Sequence, residues 1–119
     1  MIMYLKPERI RRETEKAYLL QCPESSYSYA KAGFWMSKSQ VKLCRYGNYA
    51  YLQVNFPATG MTELKRYISR RQSPQVFRVE WLEIQAMFRV EHELVWLRIE
   101  QEHRNQAADR QFEQTMRGF

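Results

Sequence analysis

Residues that bind metals, form disulfides or interrupt helices are scarce in this chain: two cysteines, two histidines, four glycines and four prolines in 119 residues. Cys22 and Cys44 have no CxxC spacing, which excludes a zinc ribbon, and they read as free thiols acting as small hydrophobes. His92 and His103 are eleven residues apart, about 16 Å along a helix, which is too far to share a metal. Both are expected to be solvated or capping side chains. Neither cysteine carries a nucleophile signature with a histidine, and Glu13 and Glu15 on one strand face lack the pocket an acid/base pair needs. There is no glycine-rich phosphate loop. The expectation is a non-enzyme with no cofactor and no metal site. Apolar runs such as Leu94-Val-Trp-Leu97 fall far short of the roughly 18–20 residues that span a bilayer. Met1-Ile-Met-Tyr-Leu-Lys6 lacks the apolar stretch of a secretory signal. A cytoplasmic protein without a membrane segment is expected.

Charge and aromatics are plentiful, and they are unevenly placed. All eight tyrosines, all four prolines and three of the four glycines precede residue 75. Residues 1–74 carry 13 Lys/Arg against 5 Asp/Glu, a balance of +8; residues 75–119 carry 6 against 8, a balance of −2, and the two sum to +6. At 119 residues the chain fits one domain, 1–119, divided into a basic β-rich head (1–74) and a helical tail (75–119).

Within the head, Ala17, Leu19 and Gln21 alternate with Tyr18, Leu20 and Cys22 as in a strand, which Pro23 ends. Glu24 to Ala32 reads as a polar loop, and Gly33-Phe-Trp-Met36 as the returning strand. Val41–Tyr46 and Tyr49–Phe56 flank Gly47-Asn48, the composition of a primed hairpin turn. A short helix from Thr59 or Thr62 to Arg71 would put Met61, Leu64 and Ile68 on one side and Lys65, Arg66 and Arg70 on the other. Ser73-Pro74 reads as the cap and first position of a second helix. The 43 residues from Gln75 to Arg117 hold no glycine or proline, which favours one long helix. The alternation Phe77-Arg-Val-Glu-Trp81 is also compatible with a short strand. The fold class expected is α+β: a small antiparallel sheet of three or four strands, a short basic helix and a long C-terminal helix.

Plotted as a helix, the tail has two apolar sides. Phe77, Trp81, Ile84, Phe88, Val95 and Ile99 cluster on one. Val79, Ala86, Met87, Val90, Leu94 and Leu97 lie roughly opposite. One side can cover the sheet, and the other needs a partner, either the 61–71 helix or a second copy of the chain. Self-association through Met87, Val90, Leu94 and Leu97 is expected, with Trp81 or Trp96 as anchors and Glu91, Glu93, Glu100 and Glu102 available to basic heads. Between Arg104 and Arg117 only Ala107, Ala108, Phe112 and Met116 are apolar, so the end is expected to fray or project.

Thr14-Glu15-Lys16-Ala17, followed by Trp35 and Lys38-Ser39-Gln40, resembles a pattern of small phage and prophage proteins reading approximately TEKA, apolar strand, turn, W-x-P-K-S-Q. The likeness covers about a quarter of the chain. Ser37 replaces the usual proline, and the tail has no counterpart. The resemblance implies a mobile-element origin and an accessory role, and it transfers no catalytic residue.

The chemistry of the head points to nucleic acid. Lys31, Lys38, Lys42 and Arg45 lie in or beside the strands carrying Tyr46, Tyr49 and Tyr51, and Lys65, Arg66, Arg70 and Arg71 follow. Cations neutralise phosphates, and aromatics on a sheet stack unpaired bases. The expected function is therefore a non-catalytic accessory protein binding DNA or RNA. The alternative is a small inhibitor or adaptor that uses the same surface on a host protein.

Overall fold

A computed structural model describes the backbone of residues 1–117 and the side chains of residues 1–112. Eight strands come first: β1 (Ile2–Leu5), β2 (Ile10–Glu13), β3 (Ala17–Gln21), β4 (Gly33–Ser37), β5 (Val41–Tyr46), β6 (Tyr49–Asn55), β7 (Met61–Arg66) and β8 (Gln75–Glu80). Two helices follow, α1 (Trp81–Met87) and α2 (Arg89–Arg117). The α+β class and the long C-terminal helix agree with the sequence reading. The strand count does not: all pairings are antiparallel, in a three-stranded sheet of order β1-β6-β5 and a five-stranded sheet of order β2-β3-β4-β7-β8. Among the described residues no helix is long and apolar enough to cross a membrane.

The two hairpins legible in the sequence are both present, but they belong to different sheets. In β3 the side chains of Tyr18 and Leu20 are buried, as is Cys22 beyond its end, while Leu19 and Gln21 face the other way. In the second hairpin Tyr46 pairs with Tyr49 around the Gly47-Asn48 turn. Gly47 has a φ of 60°, the left-handed value a primed turn requires at its first central position. Glycine is needed there twice over, because a Cβ would lie 2.8 Å from Gln106 Nε2 and 2.9 Å from Glu102 Oε2 on α2.

The segment expected as a short basic helix is β7. Its composition favours helix, but its pairing overrides that preference. Thr62, Leu64 and Lys65 lie opposite Val79, Phe77 and Val76 of β8, and Leu64 is fully buried. Ser73-Pro74 accordingly precedes a strand, and the alternation at Phe77 is that strand.

Both sheets bury one face in a common core with the helices. Met3, Leu5, Leu52 and Val54 come from the three-stranded sheet; Leu20, Phe34, Met36 and Leu64 come from the five-stranded one. Phe34 is the hub: its ring centroid lies 6.1 Å from Phe56, 5.9 Å from Trp81 and 6.0 Å from Phe88. The tail is not one helix. It breaks at Phe88 (φ −93°, ψ 2°), whose side chain is fully buried. No glycine or proline causes the break. The Phe88 N–H turns back to the Gln85 carbonyl (3.2 Å), and the Gln85 amide, itself buried, donates to the Pro57 carbonyl at 2.8 Å.

Beyond Phe88, α2 is fastened across the outer face of the three-stranded sheet. Glu91 accepts from Arg9 Nε (2.8 Å) and Nη2 (2.5 Å) and from the Lys6 N–H (3.2 Å). His92 Nδ1 accepts the Tyr4 N–H at 2.9 Å, so this histidine ties helix to strand rather than being solvated. Ala107, Ala108 and Phe112, where fraying or projection was expected, are helical and exposed, whereas the side chain of Met116 lies outside the described residues.

Candidate nucleic-acid interface

The outer faces of the two sheets differ in what covers them. On the three-stranded sheet, Tyr4, Tyr49 and Tyr51 point away from the core toward α2. Tyr4 stacks on His92 (5.4 Å, 15°) and Trp96 (5.5 Å, 19°) and meets Tyr51 edge-on at 5.7 Å. Arg98 lies over the Tyr49 ring at 5.5 Å, and the Tyr46 hydroxyl meets His103 Nδ1. Burial raises the pKa of both Tyr49 and Tyr51, with the Arg98 charge partly opposing the shift at Tyr49. Of the rings expected as a base-stacking platform, Tyr46 and Tyr49 meet His103 and Arg98 of α2, and Tyr51 packs beside them on Tyr4 and Tyr49.

Among the described residues the five-stranded sheet has no such cover. Its outer face holds a groove of about 390 Å³ whose floor includes Leu19 and Gly33. The pairings assemble it: Leu19 lies opposite both Arg12 and Trp35, and Gly33 lies opposite both Gln21 and Lys65. A Cβ on Gly33 would sit 3.0 Å from Leu19 Cδ1, so glycine keeps the floor low where Leu19 crosses it.

Four cations, Arg11, Arg12, Lys31 and Lys65, line this groove with one carboxylate, Glu63, a local balance of +3. A register shift in β2 between Ile10 and Arg12 lets the consecutive Arg11 and Arg12 serve the same groove. Lys31 enters from the loop before β4 with a left-handed φ of 64°, uncommon for lysine. None of the four has an ion-pair partner among the described residues. Two aromatics complete the lining: Trp35, 43 % exposed, and Tyr67, 65 % exposed. Neither has a ring or cation partner among the described residues, whereas most other rings do.

Of the residues singled out from sequence, only Lys31 and Lys65 line the groove. Lys38 is paired with Glu13 at 2.6 Å and lies 5.0 Å over Tyr18; that contact holds the Glu13 carboxyl below its usual range. Arg66 donates to Gln75 Oε1 and the Ser28 carbonyl and covers Phe77, a bracing role. Lys42 and Arg45 are exposed on β5, and Arg70 and Arg71 in the β7–β8 turn, all outside the groove. Arg11, Arg12, Trp35 and Tyr67 were missed. Reading Met61–Arg66 as a strand would have put Glu63 and Lys65 on the face opposite Leu64 and revealed the site.

The dimer residues divide differently. Val90, Leu94 and Leu97 are exposed (66, 57 and 58 %), while Met87 is half-buried against the core. Trp81 and Trp96, expected as intermolecular anchors, pack within the chain on Phe34 and Tyr4. Glu91, Glu100 and Glu102 pair with Arg9, Arg104 and Arg98 of the same chain.

No protein-family model, curated protein or solved structure matches this chain.

Proposed function

We propose that this protein is a non-catalytic accessory protein that binds an unpaired stretch of DNA or RNA on the outer face of its five-stranded sheet. The observation that carries the reading is the coincidence, in one groove, of four cations with Trp35 and Tyr67, two exposed rings, all six without an ion-pair or ring partner among the described residues. Cations track a phosphate backbone, and exposed rings on a flat sheet accept bases at about 1–3 kcal/mol each. A duplex buries its base faces and offers such rings nothing to stack on, so a single strand is the better fit. The phage or mobile-element setting rests on the Thr14–Ala17 and Trp35–Gln40 resemblance alone.

Fluorescence anisotropy with labelled single-stranded and duplex oligonucleotides over a salt series tests the reading. Four phosphate contacts on a single strand correspond to a slope of roughly −3 in log K against log salt. The expected result is a preference for the single strand with a slope near that value. Absence of salt-sensitive binding at low ionic strength would overturn it. Capture of a host protein that survives nuclease treatment and is lost on mutating Arg12 and Lys65 would reassign the groove to a protein partner.

A further inference from the structure

The uncovered side of α2 is longer than the sequence pattern implies. Val90, Leu94, Leu97, Gln101, Asn105, Ala108 and Phe112 are all exposed. Their spacing of 4, 3, 4, 4, 3 and 4 residues repeats after eleven, the period that follows a nearly straight helix. The stripe is apolar at both ends and carries two amides in the middle. Beside its N-terminal end, Met87, Val90 and Leu94 form with Pro23 the apolar part of a groove of about 340 Å³, whose polar part is Lys6, Glu24, Ser25 and the Arg9–Glu91 pair. At its other end stands Phe112, 67 % exposed and 22 residues beyond Val90, about 33 Å and close to six whole turns away.

We propose that two copies pair antiparallel along this stripe about a two-fold axis at Gln101, each seating Phe112 in the other's Met87–Val90–Leu94 groove. With that axis Val90 faces Phe112 of the second copy, Leu94 faces Ala108, Leu97 faces Asn105 and Gln101 faces its own copy. On the flank that holds Glu100 and Arg104, 3.9 Å apart within one chain, the two-fold brings Arg104 and Glu100 of the second copy within one turn, two residues off level. A parallel pair would set each groove against its twin and leave both unfilled. A closed symmetric pair is also the commonest way to bury such a stripe.

Sedimentation of the full chain and disulfide trapping test this, with Cys44→Ser removing the more accessible native thiol. Wild type is expected to sediment as a dimer, and Phe112→Asp as a monomer with unchanged helical circular dichroism. In Val90→Cys/Phe112→Cys the two thiols of one chain are too far apart to join, so oxidation is expected to give covalent dimers, and Leu94→Cys alone is expected to give none. A monomeric wild type at tens of micromolar overturns the pairing. A dimer trapped by Leu94→Cys but not by the double variant overturns the antiparallel register while keeping self-association. Nucleic-acid affinity of the Phe112→Asp monomer, read separately, reports on the sheet groove and not on this contact.

Discussion

The two sheets dispose of their aromatic residues in opposite ways. On the three-stranded sheet Tyr4 and Tyr49 are met by His92, Trp96 and Arg98 of α2, Tyr51 packs on both, and each of the three rings finds a partner within the chain. On the five-stranded sheet Trp35 and Tyr67 stand exposed among cations that have no ion-pair partner among the described residues. Both faces mix aromatic and basic residues, so composition alone cannot tell them apart. What separates them is whether another element of the fold has already used the surface. The covered face holds the fold together, and the bare one is free to bind.

The largest effect is expected where the cover is fastened. Glu91 is 7 % exposed and takes three hydrogen bonds, from Arg9 and the Lys6 backbone. Glu91→Ala leaves Arg9 without its carboxylate and is expected to cost about 3 kcal/mol in chemical denaturation. The affinity of the folded fraction for an oligonucleotide should stay within twofold. A large affinity loss in a folded variant would mean that α2 and its tyrosines belong to the binding surface.

Charge reversal probes the other side of the comparison. Arg12→Glu/Lys65→Glu is expected to weaken single-strand binding by roughly tenfold or more at low salt, because two phosphate contacts become repulsions. Lys42→Glu/Arg45→Glu, the same change on the three-stranded sheet, should cost less than about threefold, reflecting only long-range attraction. Equal losses in anisotropy titrations would dissolve the distinction between the faces.

A smaller contrast comes from single rings. Trp35→Ala should lose about 1–3 kcal/mol of binding with little change in melting temperature. Tyr49→Leu should leave binding intact and cost roughly 0.5–1 kcal/mol of stability through the lost Arg98 contact.

The shared core has its own pH signature. Burial pushes the Cys22 thiol up from its ordinary 9.0 to about 12, against a smaller opposing effect from Arg9. A raised folded pKa means that the folded chain keeps a proton the unfolded chain releases. Stability is therefore complete below about pH 9 and declines as pH rises toward 12. Equilibrium unfolding at alkaline pH should show a decline that Cys22→Ala, though less stable overall, lacks.

Much of the fold was legible because local chemistry and pairing agreed. The alternation in Ala17–Cys22 and the Gly47-Asn48 turn each specify their structure within a few residues. The miss at Met61–Arg66 has a different origin: Glu63, Leu64, Lys65 and Arg66 favour helix locally, and only the Val76–Val79 strand and Gly33 opposite them impose extension. That one reversal hid the candidate site, since Lys65 and Tyr67 reach the groove only from a strand. The Phe88 break was hidden for a similar reason, because its cause is burial against Phe34 and Phe56 rather than a turn residue. The exposed stripe at Val90, Leu94 and Leu97 was visible from periodicity, since a solvated side needs no tertiary partner to define it. A β-rich basic segment says where the tyrosines are and not that α2 lies over Tyr46 and Tyr49.

Photocrosslinking reads out which face of the protein a nucleic acid occupies. A short single-stranded oligonucleotide carrying a photoreactive base is irradiated with the full chain, and the modified peptides are mapped by mass spectrometry. Crosslinks are expected at Trp35 and Tyr67, on β4 and just beyond β7, and are expected to be abolished by Arg12→Glu/Lys65→Glu. Crosslinks confined to Tyr46, Tyr49 or Tyr51, on the three-stranded sheet, would contradict binding at the groove.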